Sequence, residues 1–508
     1  MKTMKRAFLY TLLLVCPMVG HAQIEVRTEA QVTAGSGDHS PLWLNANKYG
    51  LSSLDKTNGY VRAGAFRSLE NDSAKEWRWG AGADVAVAAG FTSTLVVQQL
   101  FGELKWKNWQ LTVGSKQMAM PHKNQELSTG AQTFGINARP VPQVRLDLDY
   151  WTIPYTKNWL AFRAYGSYGM TTDDGWQKDF TLQQNRYTEK TLFHTKAAYL
   201  RVGPKNITFE LGLEMGCQFG GRTLMHDPEH PLIEHATNVK AFVNALTAQG
   251  TDVTDGDYKN SEGNHVGSWV AKLSIDQPTW NLGLYADQFF EDNSMMVHVA
   301  SNGWGEGETA FQKVDKKRFF VYDFKDWLLG AELKLKEFPW LNDIVLEYMY
   351  TKYQGGPVYH DISTSMGEHI TGVDDYYNHS LFSGWQHWGQ VIGNPLYLSP
   401  LYNSDGILEV KNNRFIAWHL GLSGDPLENL HYRLLATWQK GYGTYYHLYP
   451  DPRSDVSLLA EATYTFPENS RFNGWHLTGA LGLDSGELRG DNFGVQLTVG
   501  KSFNLFNK

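Results

Sequence analysis

The densest chemistry in the chain lies at Asp374 to Trp388, DDYYNHSLFSGWQHW, where aromatic rings interleave with acids, amides and histidines. Sugar rings present flat C–H faces ringed by hydroxyls. Aromatic planes beside amides and carboxylates match both features. Tyr376, Tyr377, Trp385 and Trp388 are therefore the candidate glycan-contacting residues. The same rings would equally serve to anchor a loop or to sit at a membrane boundary.

Other constellations are weaker. His226 and His230 stand four apart in HDPEH, but Pro228 breaks the helix that would bring both to one metal. Gly37-Asp38-His39-Ser40 sets triad residue types side by side, whereas a working triad is assembled in space from separate segments. Glu368 with Asp374 and Asp375 is the best acid cluster, the kind a glycosidase would need. The sequence holds no GxSxG, no phosphate loop and no CxxC. The expectation is a protein that is not an enzyme, with no metal and no cofactor.

These residues need a scaffold, and composition narrows it. Across 508 residues the net charge is −8, so nothing favours nucleic acid as a partner. Aromatics make up 14% and there are 49 glycines, a balance that suits strands and tight turns. Lys2, Lys5 and Arg6, the apolar run Ala7 to Val15 and Gly20-His21-Ala22 resemble a secretory signal cut after Ala22. A single domain is expected over 23–508. Cys217 then has no disulfide partner and reads as a small buried apolar residue. No later apolar stretch approaches the roughly 20 residues of a membrane helix, and the mean hydropathy is −0.40. A closed β-barrel is the other way to cross a bilayer, and each strand needs only about 9–11 residues, apolar at every second position.

The last third of the chain has that pattern. Ile416, Trp418, Leu420 and Leu422 alternate with small or polar residues up to a turn signal at Gly424-Asp425-Pro426. Tyr432 to Trp438 follows, then a loop over 441–454, then Val456 to Phe466, Trp475 to Leu483 and Phe493 to Val499. Aromatics close the apolar faces, as in the girdles of transmembrane barrels. In the hairpin Gln98 to Gln117, Leu100, Leu104, Leu111 and Val113 fall on the lipid side and Gln99, Glu103 and Lys105 on the lumen side, about the tight turn Lys107-Asn108. Phe101 takes the lumen register, which suits a filled interior. Extended over the chain, the pattern predicts an all-β transmembrane antiparallel β-barrel of about 18 strands (range roughly 16–18), with a few short helices in loops or lumen.

Two stretches do not alternate, near 220–267 and 353–413. In the first, Leu232 to Gln249 has helical spacing at Ile233, Ala236, Val239, Val243 and Leu246, and would lie across the mouth or in the lumen.

Several stretches taken in order resemble one family: Ser40-Pro41-Leu42-Trp43-Leu44-Asn45-Ala46-Asn47 with Tyr49-Gly50, the hairpin Gln98 to Gln117, Tyr285 to Asp292 (YADQFFED) and Gly389 to Asn403 (GQVIGNPLYLSPLYN). They resemble the capsule assembly Wzi family, in the version carried by Bacteroides-like bacteria. That resemblance covers nearly all of the mature chain. It implies an 18-stranded outer-membrane barrel and a lectin-like, non-catalytic role in holding capsular polysaccharide at the surface. The expected partners are surface polysaccharide and outer-membrane lipid, and the expected state is a monomer. The alternative is an outer-membrane diffusion porin for small solutes or oligosaccharides, which shares the strand number and polar lumen.

Overall fold

The computed structural model describes residues 23–182, 184–225, 231–250, 261–292, 294, 298–300, 303–304, 313–314, 318–320, 325–360 and 370–505. The signal segment, His226 to His230 and Glu368 lie outside the described residues.

Eighteen antiparallel strands each pair with the next in chain order, and the last pairs with the first, from Ile24 opposite Leu505 to Ser36 opposite Phe493. They are β1 (Ile24–Ser36), β2 (Asn58–Arg67), β3 (Trp77–Ala89), β4 (Leu95–Trp106), β5 (Trp109–Ser115), β6 (Gln143–Thr152), β7 (Leu160–Met170), β8 (Leu192–Val202) and β9 (Ile207–Phe219). The second half comprises β10 (Asn264–Asp276), β11 (Trp280–Glu291), β12 (Trp327–Leu335), β13 (Asp343–Tyr350), β14 (Phe415–Leu427), β15 (Leu430–Gly443), β16 (Leu448–Thr465), β17 (Trp475–Gly486) and β18 (Asn492–Leu505). Closure leaves no open edge, so every ladder is satisfied without water. Among the described residues no helix is long and apolar enough to cross a membrane. The chain is a closed β-barrel whose strands, not helices, are built to cross a membrane.

Alternation sorts the two faces. Leu434, Leu477, Leu481, Val495 and Leu497 are exposed outward, while Gln439, Ala480 and Gln496 are buried inward. Both termini and the two-residue turns share one end, including the Lys107-Asn108 turn, where Lys107 takes a left-handed conformation between the paired Trp106 and Trp109. Barrels keep short turns in the periplasm and long loops outside. In the hairpin Gln98 to Gln117, Leu100, Leu104, Leu111 and Val113 face outward as expected. A register shift between Asp84 and Val85 leaves Gln98 unpaired in the ladder of β3 and β4. This bulge lets both Gln98 and Gln99 be buried and switches the outward parity from Val97 to Leu100.

Three local expectations need correction. Gly424-Asp425-Pro426 does not end its strand: β14 runs on to Leu427 across a register shift, and the turn falls at Glu428-Asn429. The loop expected over 441–454 shrinks to 444–447, because β15 and β16 extend to Gly443 and from Leu448. The helix expected over Leu232 to Gln249 forms only at Val239–Thr247, after a short strand at Leu232–Glu234. It also sits outside the wall rather than in the lumen, because the outward Tyr168 donates from its hydroxyl to Phe242 O at 2.8 Å.

The lumen is filled instead by three infolded segments, 37–57, 116–142 and 374–413. The first carries the short helix α1 (Leu42–Asn45), all of it buried, while a second short helix, α2 (Trp176–Phe180), follows β7. Leu42 N donates to Asp484 Oδ2 at 2.9 Å and Trp43 Nε1 to Thr437 Oγ1 at 3.1 Å. The wall opposite α1 has glycines at 482 and 494, where a Cβ would stand 2.7 and 2.8 Å from the Leu44 side chain.

Candidate functional site

The site is the lumen, and the inward positions of the strands build its wall. Along one strand or across one or two ladders these positions carry opposite charges within contact distance: Arg62 and Asp84 at 2.7 Å, Arg145 and Asp147 at 2.7 Å, Arg163 and Glu210 at 2.5 Å, Lys272 and Glu332 at 3.2 Å, Arg433 and Glu461 at 2.6 Å. Lys116 pairs with Glu103 in the same belt. Many of these groups keep contact with solvent, so the half of the lumen nearer the periplasm is an aqueous, charge-balanced vestibule.

Wall carboxylates also hold the segment 116–142. Glu347 on β13 accepts from Ser128 Oγ, Thr129 N, Thr129 Oγ1 and Tyr285 OH, all at 2.6–2.7 Å. Asp287 on β11 pairs with Lys123 at 3.1 Å and accepts from Gln132 N at 3.0 Å. Asn124 Nδ2 donates to Glu332 at 3.0 Å and Asp343 at 2.8 Å. Buried donors and acceptors thus meet their complements, as a polar interior requires.

The aromatic candidates sit on the other side of this segment. Tyr376, Tyr377 and Trp385 are fully buried. Tyr376 OH donates to Asp326 Oδ2 at 2.8 Å, and Trp385 Nε1 donates to Thr133 O at 2.9 Å. Trp385 stacks on Phe193 with centroids 5.2 Å apart, and Tyr377 packs on Tyr397 at 4.1 Å. Gly216 on β9 leaves room for the Trp385 ring, which a Cβ there would meet at 2.3 Å. These three rings anchor the infolded segment and present no face to solvent.

Trp388 differs. It is half-buried, adopts a left-handed backbone and lies under the Arg139 guanidinium, 4.3 Å from ring centroid to Cζ. Arg139 lines an inner cavity of about 110 Å³ together with Lys116, Gln143, Arg145 and Tyr165. Trp388 lines an outer cleft of about 180 Å³ with Ser53, Asp55, Phe91 and Gln390. The stacked pair therefore stands between a lumenal cavity and the long-loop face. Among the described residues the Arg139 guanidinium bonds hydroxyls, Ser93 Oγ at 2.8 Å and Thr92 Oγ1 at 2.9 Å, and its buried Nε meets no acceptor. Burial pushes its guanidinium down to about 10. Nearby, His387 Nδ1 lies 2.8 Å from Arg139 O, and burial holds the ring down at about 4, so it is neutral at physiological pH.

Asp38 and His39 do not form a triad. Both backbone amides donate to Asn492 Oδ1 at 2.9 Å, which pins the loop after β1. Among the described residues no three His, Cys, Asp or Glu side chains gather to hold a metal. The sequence reading missed Arg139, Glu347, Asp287 and the whole segment 116–142. The available signal was the run NQELSTGAQTFGINARP, polar and glycine-bearing with no strand alternation between two good strands.

No family model matches the chain, and no curated protein does. Solved structures match along its length. OccK3 (OpdO) of Pseudomonas aeruginosa shares 11% identity, covers 96% of both chains and gives a TM-score of 0.46. OccAB4 of Acinetobacter baumannii shares 9%, over 96% of this chain and 98% of that one, with a TM-score of 0.46. OprD of Pseudomonas aeruginosa shares 9%, over 96% of each, with a TM-score of 0.45. At these values the likeness is one of barrel fold alone.

The expected membership of the Wzi family is corrected here. The matching structures are outer-membrane porins of the OprD and Occ kind, not capsule assembly proteins. The lectin-like reading, with capsular polysaccharide as partner, is withdrawn with it. The stretches that carried the resemblance have packing duties instead. Leu42 to Asn45 forms α1, Phe289 and Tyr285 are core residues, and 389–403 is a largely buried part of the lumen filling. Such buried aromatic and glycine-rich runs serve any barrel whose loops fold inward.

Proposed function

We propose that the protein is a constricted outer-membrane diffusion channel for small solutes. One observation carries this reading: the cavity lined by the vestibule residues Lys116 and Arg145 also has Arg139 in its wall, and Arg139 lies on Trp388, which lines a cleft on the loop face. A closed barrel supplies the passage, and its ion-paired wall gives a solute a hydrated path. The packed segments 116–142 and 374–413 narrow it, so large glycans are excluded. Closing the barrel needs no second chain, and the channel is a monomer.

Uptake by proteoliposomes tests this. A pentose should enter severalfold faster than in protein-free vesicles, while a trisaccharide stays out. Trp388→Ala removes the ring under Arg139 and should speed pentose entry. If neither protein raises uptake above the lipid background, the channel reading fails.

A further inference from the structure

We propose that α3 (Val239–Thr247), a nine-residue helix on the outer wall, is an interfacial helix seated in the outer leaflet, with Val239, Val243 and Leu246 against lipid acyl chains.

The parity of the wall places the helix. On β9 the outward residues Ile207, Phe209 and Leu211 are exposed, as lipid-facing residues are. Further up the same register, Met215, Cys217 and Phe219 are buried. Ala241 and Ala245 of α3 pack with Cys217 and Phe219, and Ala248 just past its end packs with Met215. The helix thus lies across the outside of β7, β8 and β9, directly above the apolar belt.

Lys196 supplies a second, independent observation. It shares the outward register of Ala198 and Leu200 on β8, so its ammonium would point at the membrane boundary. Instead it donates to the carbonyls of Ala245 (3.3 Å) and Leu246 in the last turn of α3. A helix C-terminus carries partial negative charge and unpaired carbonyls, both suited to a cation. Asn244 Nδ2 donates to Glu262 Oε2 at 2.6 Å and ties that end of the helix to the loop that follows.

The opposite face remains. Val239, Val243 and Leu246, at i, i+4 and i+7, form one stripe and are 80, 50 and 47% exposed. Lys240 and Thr247 beside them are exposed as well. The stripe continues the lipid-facing surface of Leu200 and Leu211 at its upper border. That continuity names the occupant: an acyl chain next to the headgroups, where amphipathic helices rest.

The full-length protein in phospholipid vesicles gives the test, with single nitroxides at Val243→Cys, Leu246→Cys or Lys240→Cys in a Cys217→Ala background. Heat-dependent gel mobility checks the fold. Oxygen partitions into lipid and a nickel chelate into water. The oxygen-to-nickel collision ratio at 243 and 246 should exceed that at 240 severalfold. Equal ratios at all three sites would put the helix in water and overturn the proposal. Spin–spin broadening at 243 would put a second copy there and overturn it too. If Cys217→Ala does not fold, a photo-crosslinking residue at 243 in the otherwise unchanged chain decides. Adducts with lipid support the proposal, and a crosslinked dimer contradicts it.

Discussion

Asp287 shows how much a single inward side chain carries. It is fully buried on β11, and the Lys123 ammonium it pairs with is almost as buried. Asp287→Ala would leave that cation uncompensated, a loss of about 3–5 kcal/mol for a buried pair. The variant should unfold at a clearly lower urea concentration in detergent, followed by tryptophan emission. Lys123→Met combined with Asp287→Leu should recover most of the loss. A single variant as stable as wild type would show that this pair does not hold the segment.

Asp374 works in the opposite sense. Burial, together with the nearby Asp292 and Asp326, raises its carboxyl well above the usual value of 3.8. The unfolded segment therefore gives up its proton first as pH rises, so the folded state binds more protons and stability falls from about pH 4 up through the raised value. Asp374→Asn keeps an oxygen for Ser294 and Glu291 N and removes the titration. Its urea midpoint should change less between pH 5 and pH 8 than that of wild type. An identical drop in both would assign the pH dependence to other groups.

At the level of elements, the strands were legible and the filling was not. Period-two alternation marks the middles of β14 to β18, because each strand faces lipid on one side and lumen on the other. The infolded segments have no such two-sided environment and no period. Their positions come from acids on distant strands, such as Glu347 holding Ser128 and Thr129, which neighbouring residues do not announce. Of the helical positions Ile233, Ala236, Val239, Val243 and Leu246, only the last three lie on the helix; Ile233 falls in a short strand and Ala236 before the helix. The structure buries Ala241, Asn244 and Ala245 instead and turns the larger side chains outward. The aromatic candidates were found for a sound chemical reason, yet Tyr376, Tyr377 and Trp385 serve as anchors. Gly216 tests that anchoring. Gly216→Ala puts a methyl into the Trp385 ring, and overpacking of this kind costs about 1–3 kcal/mol. Proteolysis of the segment 374–413 should become faster while the barrel stays heat-modifiable. Unchanged cleavage would mean that the ring has room to move aside.

At the level of the molecule, an outer barrel satisfies the membrane and an inner filling narrows the lumen. The barrel follows from backbone hydrogen bonding in lipid. The filling follows from matched charges and rings, and within it Arg139 of the inner cavity lies on Trp388 of the outer cleft. Single-channel recording in planar bilayers tests this most directly. The wild-type protein should show small discrete current steps, and Trp388→Ala should enlarge them at least twofold. A flat baseline in both would contradict the account, and so would large steps in wild type that Trp388→Ala leaves unchanged.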